Sequence, residues 1–134
     1  MAFLHAVSRC LLGVFFITAG LNHFWHTGFY LAIMPPYLPW PLALVLASGA
    51  AEIMLGALLL FKRWQFWAGW GLVALSVAVF PANLHMALHP ELFTQFSATG
   101  LWLRLPLQVV IIVWAWWSTR QAESYSPIKG KAVL

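Results

Sequence analysis

Four stretches of this chain are each roughly 20 residues long and almost free of charge, and they decide which solvent the fold must suit. They run at about Phe3–Phe24, Pro41–Phe61, Phe66–Leu88 and Leu101–Ser118. A helix rises about 1.5 Å per residue, so each stretch is long enough to cross the hydrocarbon layer of a bilayer. Composition agrees: 63% of the 134 residues are hydrophobic and 7% are charged, whereas a soluble domain carries about 25% charged residues. So few charges cannot keep a surface wet, and lipid becomes the main solvent. The sequence therefore predicts an all-α protein, a four-helix transmembrane bundle over residues 1–120 with a polar tail at 121–134.

Basic residues give the direction of threading. Lys62 and Arg63 lie in "KRWQ" between the second and third spans, Arg120, Lys129 and Lys131 follow the fourth, and Arg9 lies near the start of the first. The other two links contain no Lys or Arg, and Arg104 is the only basic residue near that side. Basic segments stay cytoplasmic, so both termini and "KRWQ" are expected to face the cytoplasm. The net charge of +4 is thus a topology signal and not a nucleic-acid footprint. Arg9, inside the first apolar run, is the one positive charge there, and the missing basic n-region fits a retained span better than a cleaved signal peptide. Cys10 is the one cysteine. It cannot form an internal disulfide and is expected to pack as a small apolar residue, which argues against a membrane dithiol oxidase.

Polar residues inside the spans are few and placed with regularity. Arg9, Gly13, Phe16, Gly20 and His23 fall on one face of the first helix, and Gly49, Glu52 and Gly56 on one face of the second. The glycines allow close helix approach. Glu52 lies about 16 Å into its span, near the bilayer midplane. A carboxylate there costs about 2.5–3.5 kcal/mol on insertion scales, and an intramembrane ionisable residue is by default a functional hypothesis. Arg9 and Arg104 are the cations expected to reach it, either as a structural ion pair that fixes packing or as part of a proton- or ligand-binding site. Arg104 and Gln108 lie one turn apart on the fourth span, and Pro81, His85 and His89 recur at intervals of four on the third.

Both outward-running spans end in Asn and His: "GLNHFWHTGFY" after the first, "ANLHMALHPELF" after the third. The likeness fits a duplicated helix hairpin. Neutral imidazole is a common metal ligand, so His23 and His85 are the metal or haem candidates, with His26 and His89 weaker ones at the interface. There is no HExxH and no Cys cluster. Pro81 is expected to kink its helix, with Asn83 either satisfying the freed carbonyl or pointing into a cavity. The prolines of "MPPYLPWP" exclude a helix interior and fit a rigid cap over the bundle mouth or a plain stiff loop.

The blocks "RCLLGVFFITAGLNHF", "IMPPYLPWPLALVLASGAAEIMLGALLL", "FPANLHMALHP" and "WLRLPLQ" resemble the DoxX family of small bacterial membrane proteins, over roughly residues 7–120. The marks that match are Arg9, Gly13, Gly20, His23, Glu52 and Gly56. The resemblance implies a four-helix transmembrane bundle in a bacterial inner membrane. It also implies a redox theme, because members are similar to a thiosulfate:quinone oxidoreductase subunit or tied to a complex with a superoxide dismutase and a sulfurtransferase.

The expected site is an outward-facing pocket of His23, Glu52, Asn83, His85, Arg104 and Gln108, with Arg9 as a further ligand-binding residue. As a redox or sulfur-handling subunit it would bind a quinone. Arg104 and Gln108 would donate to the quinone carbonyls, and the catalytic pair His23 and Glu52 would relay a proton. A partner redox enzyme or a homo-oligomer is then implied. The alternatives are a small-molecule or metal-ion carrier without redox chemistry, and a non-catalytic scaffold for a partner enzyme.

Overall fold

The structure, a computed structural model, describes residues 2–120. The expected tail at 121–134, with Lys129 and Lys131, lies outside the described residues. Five α-helices form: α1 (Ala2–Trp25), α2 (Thr27–Ile33), α3 (Pro41–Leu58), α4 (Gln65–Leu88) and α5 (Ala98–Thr119), with a 3-10 turn at Pro90–Leu92. No strand occurs among the described residues. α1, α3, α4 and α5 are each long and apolar enough to cross a membrane, the architecture of a multi-pass membrane protein. Pro41 opens α3 at its first turn, where a missing N–H costs nothing. Ser97 caps α5 by accepting from the Gly100 N–H at 3.0 Å. α4 continues through Pro81 to Leu88, and α5 runs through Pro106.

The four long helices alternate in direction. α1 packs chiefly on α3, α4 chiefly on α5, and the two pairs close the bundle through α1–α5 and α3–α4 contacts. Hydrocarbon gives little drive for helix association in lipid, so close van der Waals fit must hold the bundle. Two glycine pairs supply it between α1 and α3. A Cβ on Gly13 would lie 2.8 Å from the Gly56 carbonyl oxygen, and one on Gly20 would lie 2.6 Å from that of Gly49. The chain backbones touch there, and their antiparallel register is fixed.

The start of α1, the 59–64 link and the end of α5 meet at one end of the bundle, here the terminal end. Ser8 and Ser118 share a 2.7 Å hydroxyl hydrogen bond there, and the Trp114 indole N–H donates to Ser8 Oγ at 2.7 Å. Ser8→Ala leaves both partners unmatched, and unfolding in detergent should show a loss of about 1 kcal/mol. The opposite end, the mouth, holds α2 and the 3-10 turn. Each end has its own apolar core. Leu12, Phe16, Leu59, Ala68, Leu72 and Ala115 fill the terminal half. Ile33, Met86, Phe93 and Leu101 fill the mouth, with Phe29 and Tyr30 packed against them. His23, Glu52, Ser76, Asn83, Arg104 and Gln108 are gathered between these two cores.

Candidate functional site

Glu52 occupies the middle of that polar layer. It is 9% exposed and His23 is 8% exposed. Gly20 and Gly49 bring α1 and α3 close enough for this contact, since a Cβ on Gly49 would lie 2.7 Å from His23 Cβ. His23 Nδ1 lies 2.9 Å from the Ala19 carbonyl oxygen and 3.2 Å from Glu52 Oε2. A ring N–H aimed at the Ala19 carbonyl satisfies that acceptor, and Glu52 Oε2 is left buried with no hydrogen-bond partner. Such an atom forgoes about 1–3 kcal/mol until a donor reaches it.

Two cavities meet at this carboxyl. One, of about 370 Å³, opens toward the mouth and is lined by Asn22, His23, Tyr30, Ser48 and others. The second, of about 360 Å³, runs toward α5 and includes Phe16, Ser76 and Gln108. Both are lined by Ala19, Glu52, Val79, Asn83 and Arg104. Asn83 Nδ2 donates to Gln108 Oε1 at 2.8 Å, and Gln108 Nε2 donates to the Ser76 carbonyl. These bonds tie α4 to α5 and engage both ends of the Gln108 amide. The Arg104 guanidinium lies over the Phe96 ring, 4.8 Å from its centroid, a cation–π contact.

Five of the expected pocket residues, His23, Glu52, Asn83, Arg104 and Gln108, therefore surround the two cavities. His85 does not. Ser76, Val79 and Asn83 recur at helical spacing and turn one face of α4 inward, so His85, two residues past Asn83, points elsewhere. It lies beside His89, 4.8 Å between ring centroids, and edge-on to Phe93. The His23–His85 metal pairing fails for the same reason, and among the described residues no three His, Cys, Asp or Glu side chains converge to hold an ion. Arg9 is also elsewhere. Its guanidinium donates to the Ser118 carbonyl at 3.2 Å, about 21 Å along α1 from His23. It neutralises the carbonyl end of α5, where a cation is favourable. The expected pairing of Glu52 with an arginine gives way to His23, whose Nδ1 lies 3.2 Å from Oε2. Cys10, expected to be packed, is exposed.

Tyr30 was not legible as part of the site. α2, inside the expected loop, lays its ring on His23, 3.8 Å between centroids and 16° from parallel. Asn22 Nδ2 donates to the Tyr30 hydroxyl at 2.8 Å. Beyond the spans, His89 and Glu91 form an exposed pair at 3.3 Å. The Glu91 backbone N–H, and then His89, hold its carboxyl below the usual carboxylate range. These are ordinary interface groups.

A family model described as a domain of unknown function, DUF8561, matches residues 12–119. That match overturns the DoxX resemblance, whose blocks are apolar sequence with a few polar marks that unrelated membrane bundles also carry. Comparison with curated proteins and with solved structures finds no match.

Proposed function

We propose that this chain, which belongs to the DUF8561 family, binds and carries a small molecule bearing a hydrogen-bond donor, held at Glu52 within the membrane. The observation that supports this reading is the buried Glu52 Oε2, without a hydrogen bond from the protein, at the junction of two cavities. With the His23 Nδ1–H directed to the Ala19 carbonyl, the carboxyl oxygen accepts no hydrogen bond from the protein, and a donor on a ligand, either an amine or a hydroxyl, would match it. Turned from the Ala19 carbonyl to the carboxyl 3.2 Å away, the His23 Nδ1–H would exchange a proton with Glu52, which would couple carriage to proton movement. Arg104 offers a counter-charge to any acceptor group on the same molecule.

Orientation follows from charge. Arg9, Lys62, Arg63 and Arg120 gather at the terminal end, so that end faces the cytoplasm and the mouth faces outward. The bacterial inner membrane and the redox partner came with the DoxX resemblance and lose their support with it. The quinone reading also loses a donor, because the Gln108 amide is engaged by Ser76 and Asn83.

Glu52→Gln tests the assignment. Small amines and alcohols that bind should raise the melting temperature of the detergent-purified wild type, since a ligand stabilises the state it binds. The same compounds should leave Glu52→Gln unmoved, and their flux into reconstituted vesicles should fall about tenfold. Equal stabilisation and equal flux in the variant would sink the assignment.

A further inference from the structure

A third cavity, of about 400 Å³, lies between α3 and α4. The two helices touch toward the terminal end, where a Cβ on Gly71 would come 2.8 Å from a Leu55 methyl group. Toward the mouth they part, and a groove opens over Leu44, Ala47, Ala51, Leu75 and Ala78. Leu44, Ala47 and Ala78 are exposed, so the groove faces the bilayer. Its one hydroxyl, Ser48 Oγ, donates to the Leu44 carbonyl at 2.8 Å, so its proton is not offered to an occupant. The groove shares Met34, Ser48, Val79 and Ala82 with the cavity over His23. An apolar trough open to lipid thus adjoins, across these four side chains, a polar chamber whose buried Glu52 Oε2 accepts no hydrogen bond from the protein.

We propose that the ligand of Glu52 is an amphiphile that enters sideways from the bilayer, with its donor headgroup at Glu52 and its hydrocarbon chain in the α3–α4 groove. This rests on the reading of Glu52 as a ligand site and adds the substrate class. The adjacency of the two cavities, which share four lining residues, selects this occupant. A partner helix, about 10 Å across, can lie over the groove but cannot enter it or bring a donor to Glu52. A hydrocarbon chain can thread it while its head reaches the chamber.

The test uses hexadecylamine carrying a diazirine in mid-chain, photolysed with full-length protein in phosphatidylcholine vesicles. Label is expected on the α3 segment 44–51 and the α4 segment 75–82. Unlabelled hexadecylamine should compete it away, and hexadecane should not. Ala51→Phe and Ala78→Trp, which fill the groove outside the Glu52 chamber, should each cut labelling about tenfold. Ala78 is exposed, so its variant keeps the fold if Ala51→Phe does not. Equal competition by hexadecane would mean that the groove holds ordinary bilayer hydrocarbon, and the proposal falls. If propylamine competes as well as hexadecylamine and Glu52→Gln abolishes both, the tail assignment falls while the Glu52 site stands. If Glu52→Gln leaves labelling unchanged, both fall.

Discussion

Val79→Trp should abolish binding of the hexadecylamine probe, lowering its affinity by more than about a hundredfold, or about 2.7 kcal/mol. Val79 lines all three cavities, the one over His23, the one toward Gln108 and the lipid-facing groove. An indole at that junction occupies space that any ligand of Glu52 must use. The substitution enters empty volume, so the usual penalty of about 1–3 kcal/mol for overpacking a filled core should be largely absent. Unfolding in detergent should therefore shift by less than about 1 kcal/mol while binding disappears. Val79→Ala widens the same junction and should retain the probe. A folded Val79→Trp protein that binds the probe normally would show that the cavities are not where the ligand sits.

Gly49→Val should have the largest effect on stability, about 3 kcal/mol or more, at the upper end for overpacking. Its Cβ alone would lie 2.7 Å from His23 Cβ and 3.1 Å from the Gly20 carbonyl oxygen. Those neighbours are backbone and the base of a side chain, so rotamer changes give no relief. Two further methyl groups would force α1 and α3 apart. Denaturant or SDS titration of the purified protein measures the loss, and Ala50→Val, on the exposed side of the same helix, is the matched control. If Gly49→Val were no less stable than Ala50→Val, the two helices would not be in contact there.

The long helices were legible because their apolar runs must span hydrocarbon, and the observed bounds fall within a few residues of the expected ones. The face carrying Gly13, Phe16, Gly20 and His23 was legible too, since helical spacing alone gathers it, and all four are buried. α2 was not. It is seven residues long, sits between His26 and a proline pair, and is held by packing under the mouth, so no local pattern announces it. His85 was misplaced because spacing from Pro81 and His89 gives a face without saying which face meets a neighbour. The inward face of α4 is set by α5, where Gln108 binds both Asn83 and the Ser76 carbonyl. Charge alone suggested an arginine for Glu52. The open carbonyls at the end of α5 claim Arg9, and the Phe96 ring holds Arg104.

The glycine pairs between α1 and α3 also say where this molecule can breathe. Backbone rests on backbone at Gly13–Gly56 and Gly20–Gly49, so rearranging the flanking Ile17 and Ile53 side chains would not by itself loosen that seam. On the other flank, α4 and α5 are pinned by the amide bonds around Gln108. The bundle is therefore two stiff leaves, joined at the terminal end where Leu55 meets Gly71 and Ser8 meets Ser118 and at the mouth where Ile33 of α2 packs with Met86 and Leu101, so the room to gape lies between α3 and α4 along the groove. Amide hydrogen exchange and spin-label distances should find the motion there, with the α1–α3 distance holding constant as the other widens.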